Sequence, residues 1–289
     1  AASLLNKAWP SQQTEIQLVE SAEIGKIGVG EGSTPALRLF FQHLGVAESQ
    51  WMPECHATYK CGISFPNWST KENFNQYTHP FYSQADWKTG NAFIHNANLR
   101  RQGFNVPAHP DSFWLQSKLV QQDKSPIASE KLAEEMDYGY HFDAHLLGEF
   151  LKKRAINLGV KHLQDTVKEV KLNNDGSISQ LITAENGALT ADVFIDCSGF
   201  AALLISKTLK VPFTSYKDSL FNDSAIAIQS HLDPNKPIPS QTRSSALSCG
   251  WAWQIPLSSR FGNGYVYSSN YIDDQAAEVE LRQHLGKSC

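Results

Sequence analysis

The six residues Glu15-Ile16-Gln17-Leu18-Val19-Glu20 constrain the fold more than any other stretch of this chain. They read as a short strand that closes on an acid. The small and apolar residues from Ala1 to Trp9 read as the end of a helix, with Pro10 as its stop. Helix, strand and terminal glutamate form the second half of a nucleotide-binding βαβ unit, in which the acid accepts a hydrogen bond from a ribose hydroxyl. The first strand and Gly-rich turn of such a unit would precede Ala1, so the 289 residues are expected to be an incomplete piece of a longer protein. The same residues also fit an ordinary αβ start that binds no nucleotide.

Downstream, the stretch from Gly25 to Gly32 is dense in glycine, and Thr34-Pro35 opens a helix that runs to Gly45. Residues 51–130 are rich in Trp, Asn, His and Pro without a clean period, which predicts a loop-rich insertion with short helices. Apolar residues from Phe142 to Leu158 recur near helical spacing and predict the longest helix, from His141 to Leu158. Val167–Leu172, Ser179–Thr183 and Val193–Asp196 predict strands, with turns at Asn173–Gly176 and Asn186-Gly187. The last of these runs enters Cys197-Ser198-Gly199-Phe200, a small-residue turn that a nucleotide can approach closely. Beyond Ser248 the chain alternates, with a hairpin expected around Gly262 and Gly264, and Ala276–Leu285 predicts a final amphipathic helix.

Composition narrows the function classes. A net charge of -4 supplies no basic field for nucleic acid or an anionic membrane, so neither is expected as a partner. No apolar run approaches the roughly 20 residues needed to span a bilayer. Cys55, Cys61, Cys197, Cys249 and Cys289 are scattered and contain no C-x-x-C pair, which argues against zinc and fits a reducing, cytoplasmic location.

Four groups of residues could carry chemistry. Gly28-Val29-Gly30-Glu31-Gly32 lacks the ending of a P-loop and reads either as a tight turn or as a cofactor loop. Lys60 lies among small and apolar neighbours, where a lysine either snorkels to water or is held desolvated as a strong directed donor. His141 and His145 are four apart on the expected helix, without the glutamate of a zinc helix, so hydrogen-bonded histidines are expected, and Asp143 reads as a cap. Trp251-Ala252-Trp253 places both indoles on one sheet face, as a core ridge or as a wall between two cavities.

Taken in order, Gly28-Val29-Gly30-Glu31-Gly32-Ser33-Thr34-Pro35, Ala57-Thr58-Tyr59-Lys60, Tyr140-His141-Phe142-Asp143-Ala144, Asp196-Cys197-Ser198-Gly199-Phe200 and Trp251-Ala252-Trp253-Gln254-Ile255-Pro256 resemble successive motifs of the flavin-dependent tryptophan halogenases. The resemblance runs the length of the chain. It implies an α/β fold like that of the FAD-dependent aromatic hydroxylases, with a Rossmann-type FAD-binding core and a helical, loop-rich substrate region. One interwoven unit is expected over 1–289, with the FAD core near 1–50 and 135–210 and the halogenation region near 51–134 and 211–289. The resemblance implies FADH2 delivered by a separate flavin reductase, with O2 and chloride or bromide as co-substrates. These make hypohalous acid, which a lysine relays to tryptophan, indole or a similar small aromatic. It also admits a homodimer.

Residue by residue, the resemblance gives Lys60 the catalytic role. It gives Glu20, Ile24, Gly28, Gly30, Glu31 and Val167 the cofactor. His79, Phe81, Trp251 and Trp253 line the substrate side, the two tryptophans keeping the organic substrate from the flavin. The family's catalytic glutamate would lie past Cys289, so these 289 residues by themselves are expected to be inactive. An FAD-dependent aromatic monooxygenase and a non-catalytic flavin- or indole-binding protein are the alternatives.

Overall fold

A computed structural model describes residues 1–9, 13–25, 28–130 and 135–286. Pro10, Lys26, Ile27 and Cys289 lie outside the described residues. In chain order the first elements are α1 (Ala2–Ala8), β1 (Gln17–Glu20), α2 (Ala36–Leu44), α3 (Glu48–Trp51), β2 (Thr58–Lys60), β3 (Gly62–Pro66), β4 (Gln76–Pro80), α4 (Trp87–Arg101) and α5 (Leu115–Gln121). They are followed by β5 (Gly139–His141), α6 (Ala144–Asn157), β6 (Lys161–Gln164), β7 (Val167–Leu172), β8 (Ile178–Thr183) and β9 (Gly187–Leu189). The last are β10 (Ser224–Ser230), β11 (Gln241–Leu247), β12 (Gly250–Pro256), β13 (Phe261–Tyr267) and α7 (Asp274–Leu285).

Residues group into two compact units: 1–27 with 151–219, and 28–150 with 220–289. In the first unit, β1 pairs in parallel with β6, from Gln17 opposite Lys161 to Glu20 opposite Gln164. Parallel pairing requires a crossover connection, and here it runs through residues 21–160. Strands β7, β8 and β9 form an antiparallel meander. Its two turns carry Gly176 and Gly187 at φ +86° and +70°, a region that a side chain strains to enter. Val193–Asp196 forms no strand. Val193 and Ile195 are exposed, and none of the described segments lies beside them to complete a ladder.

The second unit is built on a six-stranded sheet, ordered β10-β13-β12-β11-β3-β4, in which β11 and β3 run parallel. Helix α2 ends where expected, at Gly45 with φ +67°, whose N–H bonds the Gln42 carbonyl. Its buried Phe41 stacks on Trp51 with ring centroids 4.3 Å apart. Other expectations need correction. The helix foreseen from His141 begins at Ala144, because His141 belongs to β5, so His141 and His145 do not share a helix face. Helix α4, 15 residues long, outruns it. Its mixed, half-exposed sequence has no apolar stripe to betray it.

Gly262 and Gly264 lie inside β13 rather than at the hairpin, which turns between Leu257 and Arg260. The reason is steric. A Cβ on Gly264 would run into the Trp253 indole, and one on Gly262 into the Glu31 carboxylate. Gly264→Ala is therefore expected to lower stability by about 1–3 kcal/mol through overpacking, measured by urea unfolding. An unchanged midpoint would show that both the Trp253 indole and the Ile226 carbonyl, 2.5 Å from that Cβ, can move aside.

Candidate active site

Strand β2 is only three residues long and pairs antiparallel with β5, Thr58 opposite His141, Tyr59 opposite Tyr140 and Lys60 opposite Gly139. Opposite residues share a face, so Thr58, Lys60 and His141 point one way and the two tyrosines the other. The glycine-rich segment runs along the far side of β5, bonded through Ser33 N–H to the Tyr140 carbonyl and through Phe142 N–H to the Glu31 carbonyl. Gly139 must be glycine, because a Cβ there would sit 2.7 Å from the Ser33 carbonyl oxygen.

Lys60 is only 6% exposed, and no carboxylate pairs with it among the described residues. Burial pushes its ammonium down from 10.5 to about 8. Its Nζ stands 5.7 Å from the centre of the Phe81 ring, within range of a cation–π contact. Nζ also lies 3.3 Å from the position that a Gly32 Cβ would take, and Thr242 Oγ1 and His141 Cδ2 lie 3.6 and 3.7 Å from the same point. Neighbouring Cys61 is buried, which pushes its thiol up to about 11 against the lowering effect of a bond with Ser240.

His141 is fully buried, and its tautomer follows from its neighbours. The Thr58 hydroxyl donates to the Pro256 carbonyl at 2.6 Å, so it accepts from His141 Nδ1 at 3.0 Å. Nε2 then carries no hydrogen and accepts from the Thr242 hydroxyl at 3.0 Å. Burial first, and the nearby Lys60 charge second, hold this imidazole neutral, well below its ordinary 6.5.

Behind the ladder, the Glu48 carboxylate accepts hydrogen bonds from Tyr59, Tyr138 and Tyr140 at 2.8, 2.8 and 2.6 Å. Burial and this carboxylate push all three phenols up, Tyr138 to about 12. A further ionic cluster ties the glycine segment to the Tyr140–Ala144 motif through Arg260. Arg260 bonds Glu31 through both terminal nitrogens, at 3.1 and 2.5 Å, and Asp143 at 2.9 Å. Asp143 caps α6 as expected, accepting from the His145 and Leu146 amides at 3.0 Å each.

The sequence-predicted site residues divide as follows. Lys60 and Phe81 stand together, whereas His79, on β4, turns to an exposed position. Trp251 and Trp253 lie on one face of β12 with ring centroids 6.2 Å apart. The Glu31 side chain faces Arg260. Gly28 and Gly30 have no positive φ. Among the described residues, only Ala144 Cβ, at 3.6 Å, would touch a Cβ on Gly28, and none would touch one on Gly30. In the other unit, Glu20 ends β1 with its carboxylate 3.1 Å from His162 Nε2 and 3.7 Å from Lys152 Nζ. Ile24 is exposed there, and Val167 opens β7. Sequence reasoning missed Thr242, Glu48 and Arg260, which lie in unremarkable local contexts.

The sequence profile described as tryptophan halogenase matches residues 1–289. The tryptophan 6-halogenase SttH of Streptomyces toxytricini is 38% identical over 307 aligned residues, covering 99% of this chain and 58% of that protein. The tryptophan 7-halogenase RebH of Lentzea aerocolonigenes is 35% identical over 301 residues, covering 97% and 55%. The solved structure of Tar14, described as a tryptophan C-6 flavin-dependent halogenase (chlorinase) from taromycin biosynthesis, matches with a TM-score of 0.87 at 37% identity, over 99% of this chain and 58% of its own. The architecture is that of the flavin-dependent halogenases, a mixed α/β fold with a Rossmann-like FAD-binding part. The chain belongs to the tryptophan halogenase family. It spans 58% and 55% of the lengths of the two curated relatives.

Proposed function

We propose that the protein is an FADH2-dependent halogenase acting on tryptophan, indole or a similar electron-rich aromatic, with Lys60 as the group that holds the halogenating oxidant. One observation carries the reading: in a chain of this family, the lysine is buried with no carboxylate among the described residues to satisfy it. A desolvated ammonium is costly to keep, and it makes a strong donor to a small polar oxidant. With a pKa of about 8, roughly a tenth of it is free amine at pH 7, against roughly one in three thousand for an ordinary lysine. The site can therefore act as a hydrogen-bond donor or as a nucleophilic amine.

The residues present fit FAD. Gly28 and Gly30 sit where neither backbone conformation nor packing demands glycine, and a closely approaching ligand supplies the reason. Glu20 offers an acid at the end of a strand in a parallel pair, the place from which a ribose hydroxyl is held. Glu31, in the same loop, and Ile24 and Val167, through their backbone, complete the assignment. When bound, reduced FAD with O2 supplies the oxidising equivalent that turns chloride or bromide into hypohalous acid. A separate flavin reductase is the proposed source of FADH2, and a homodimer in the cytoplasm the proposed setting. His79 and Phe81 form the aromatic substrate's wall. Trp251 and Trp253 keep that substrate from the flavin, which makes a mobile oxidant and a relay necessary.

The test is product analysis by mass spectrometry, using the full-length protein with a flavin reductase, FAD, bromide and a panel of aromatics. Brominated indoles are expected. Hydroxylated products would move the protein to the aromatic monooxygenases, and ligand binding without turnover of any halide to a binding module.

A further inference from the structure

We propose that Glu48 is a positioning residue for Lys60, acting through a three-tyrosine clamp on the rear face of the β2–β5 ladder. This rests on the halogenase reading only for what Lys60 does once it is placed. The ladder needs a clamp because it is small. Strands β2 and β5 are three residues each and form a two-stranded sheet of their own, and a pair that short is marginal without outside contacts. Side chains alternate between faces, so a slip of one residue would turn Lys60 to the rear.

The rear face opposes that slip. Tyr59 and Tyr140 lie opposite one another there, and Tyr138, two residues before Tyr140, joins them. All three phenols donate to one carboxylate, Tyr59 to Glu48 Oε2 and the other two to Oε1. Their rings also pack edge to face, Tyr138 with its centroid 5.4 Å from Tyr59 and 5.7 Å from Tyr140. Glu48 opens α3, and the other end of that turn is Trp51, fully buried, stacked on Phe41 and edge to face with Tyr140. The carboxylate is thereby fixed to the core, and Tyr59 is fixed to the carboxylate. With residue 59 held to the rear, residue 60 must face the front.

Lys60 reports its own placement. No carboxylate pairs with it among the described residues, while burial holds His141 neutral and the Cys61 thiol protonated. Burial therefore sets its value of about 8, and a change that lets the lysine out of its place raises it.

The experiment uses the full-length protein. The Lys60 pKa is read from the pH dependence of its acetylation by acetic anhydride, followed by peptide mass spectrometry. Bromination kcat and KM are measured alongside, with reductase, FAD and bromide. Glu48→Met keeps the bulk and removes every acceptor for the phenols. It is expected to raise the Lys60 pKa from about 8 to about 9.5 and to lower kcat about tenfold, with KM for the aromatic unchanged. Tyr59→Phe, which keeps the ring and loses one bond, should move both in the same direction by less. Glu48→Gln should recover most of both, because its amide oxygen accepts from two phenols and its NH2 donates to the third. Tyr267→Phe is the matched control. It loses a like bond, to Asp274 at 2.7 Å, on a strand that does not pair with β2, and should cost stability without moving Lys60.

A Lys60 pKa and a kcat both unchanged in folded Glu48→Met and Tyr59→Phe would overturn the proposal. So would a glutamine variant as impaired as the methionine, or a control that moves Lys60 as far as either. Failure of the halogenase reading shows separately, as a parent protein that brominates nothing while its Lys60 pKa still answers to Glu48.

Discussion

Replacing Lys60 with methionine is expected to abolish halogenation while making the protein more stable at pH 7. The loss of rate should be about a thousandfold, the order seen when one directed donor is removed from a reacting centre. The gain in stability follows from proton linkage. Folding lowers the lysine from 10.5 to about 8, so the folded chain binds its proton more weakly than the unfolded chain does. Below about pH 8 the buried charge costs the full difference, about 3 kcal/mol. The cost is relieved as pH rises from about 8 to 10.5, where the folded chain has released the proton and the unfolded chain still holds it. Methionine fills similar space without a charge and removes the cost at every pH. Urea unfolding of parent and variant at pH 7 and pH 10 measures it, and the two curves should converge at the higher pH. A variant that retains halogenation within tenfold of the parent would take the relay role away from Lys60. In the parent, bromination that climbs with pH to a plateau above about 8 would identify the free amine as the working form, and bromination that declines there the ammonium.

Arg260→Ala is expected to be the most destabilising single change, at about 3–5 kcal/mol. The guanidinium joins two carboxylates from distant motifs, and Glu31 is only 5% exposed. Without Arg260, that buried acid faces Asp143 uncompensated. Arg260→Lys should recover only part of the loss, since one ammonium cannot reproduce the two-pronged contact with Glu31 together with the bond to Asp143. Asp143 adds a pH signature. Burial pushes its carboxyl up, but the helix amides of Leu146 and His145 together with Arg260 outweigh it and hold the group below 3.8. Its contribution is present above that value and lost as pH falls through the depressed one, so the gap between parent and variant should narrow on acidification. A gap of under 1 kcal/mol at pH 7 would show that water replaces the guanidinium. Differential scanning calorimetry and urea unfolding are independent measures of it.

Much of the local backbone was legible because local chemistry dictates it. Gly45, Gly176 and Gly187 mark turns that only a residue without Cβ enters freely. Asp143 caps α6 through amides two and three residues on, a contact visible in any window of sequence. The failures have equally local causes. Helix α4 carries no apolar stripe, and Gly262 and Gly264 imitate a turn while serving a strand. Val193–Asp196 has the composition of a strand, but a strand also needs a neighbour.

By itself the sequence determined the α/β class, several turns and caps and the order of the motifs, and it marked Lys60 as a candidate. The tertiary structure alone decided what surrounds that lysine. Thr242 stands 101 residues from His141, Pro256 198 residues from Thr58, and Arg260 229 residues from Glu31. A periodic pattern reports which face of its own element a side chain occupies, and it carries no information about which element lies opposite. That depends on the pairing of β11 alongside β3 and of β2 against β5, a choice made by the burial of the whole sheet. The lysine was readable as a candidate; its lowered pKa and its neutral histidine neighbour exist only because the fold brings them to one face.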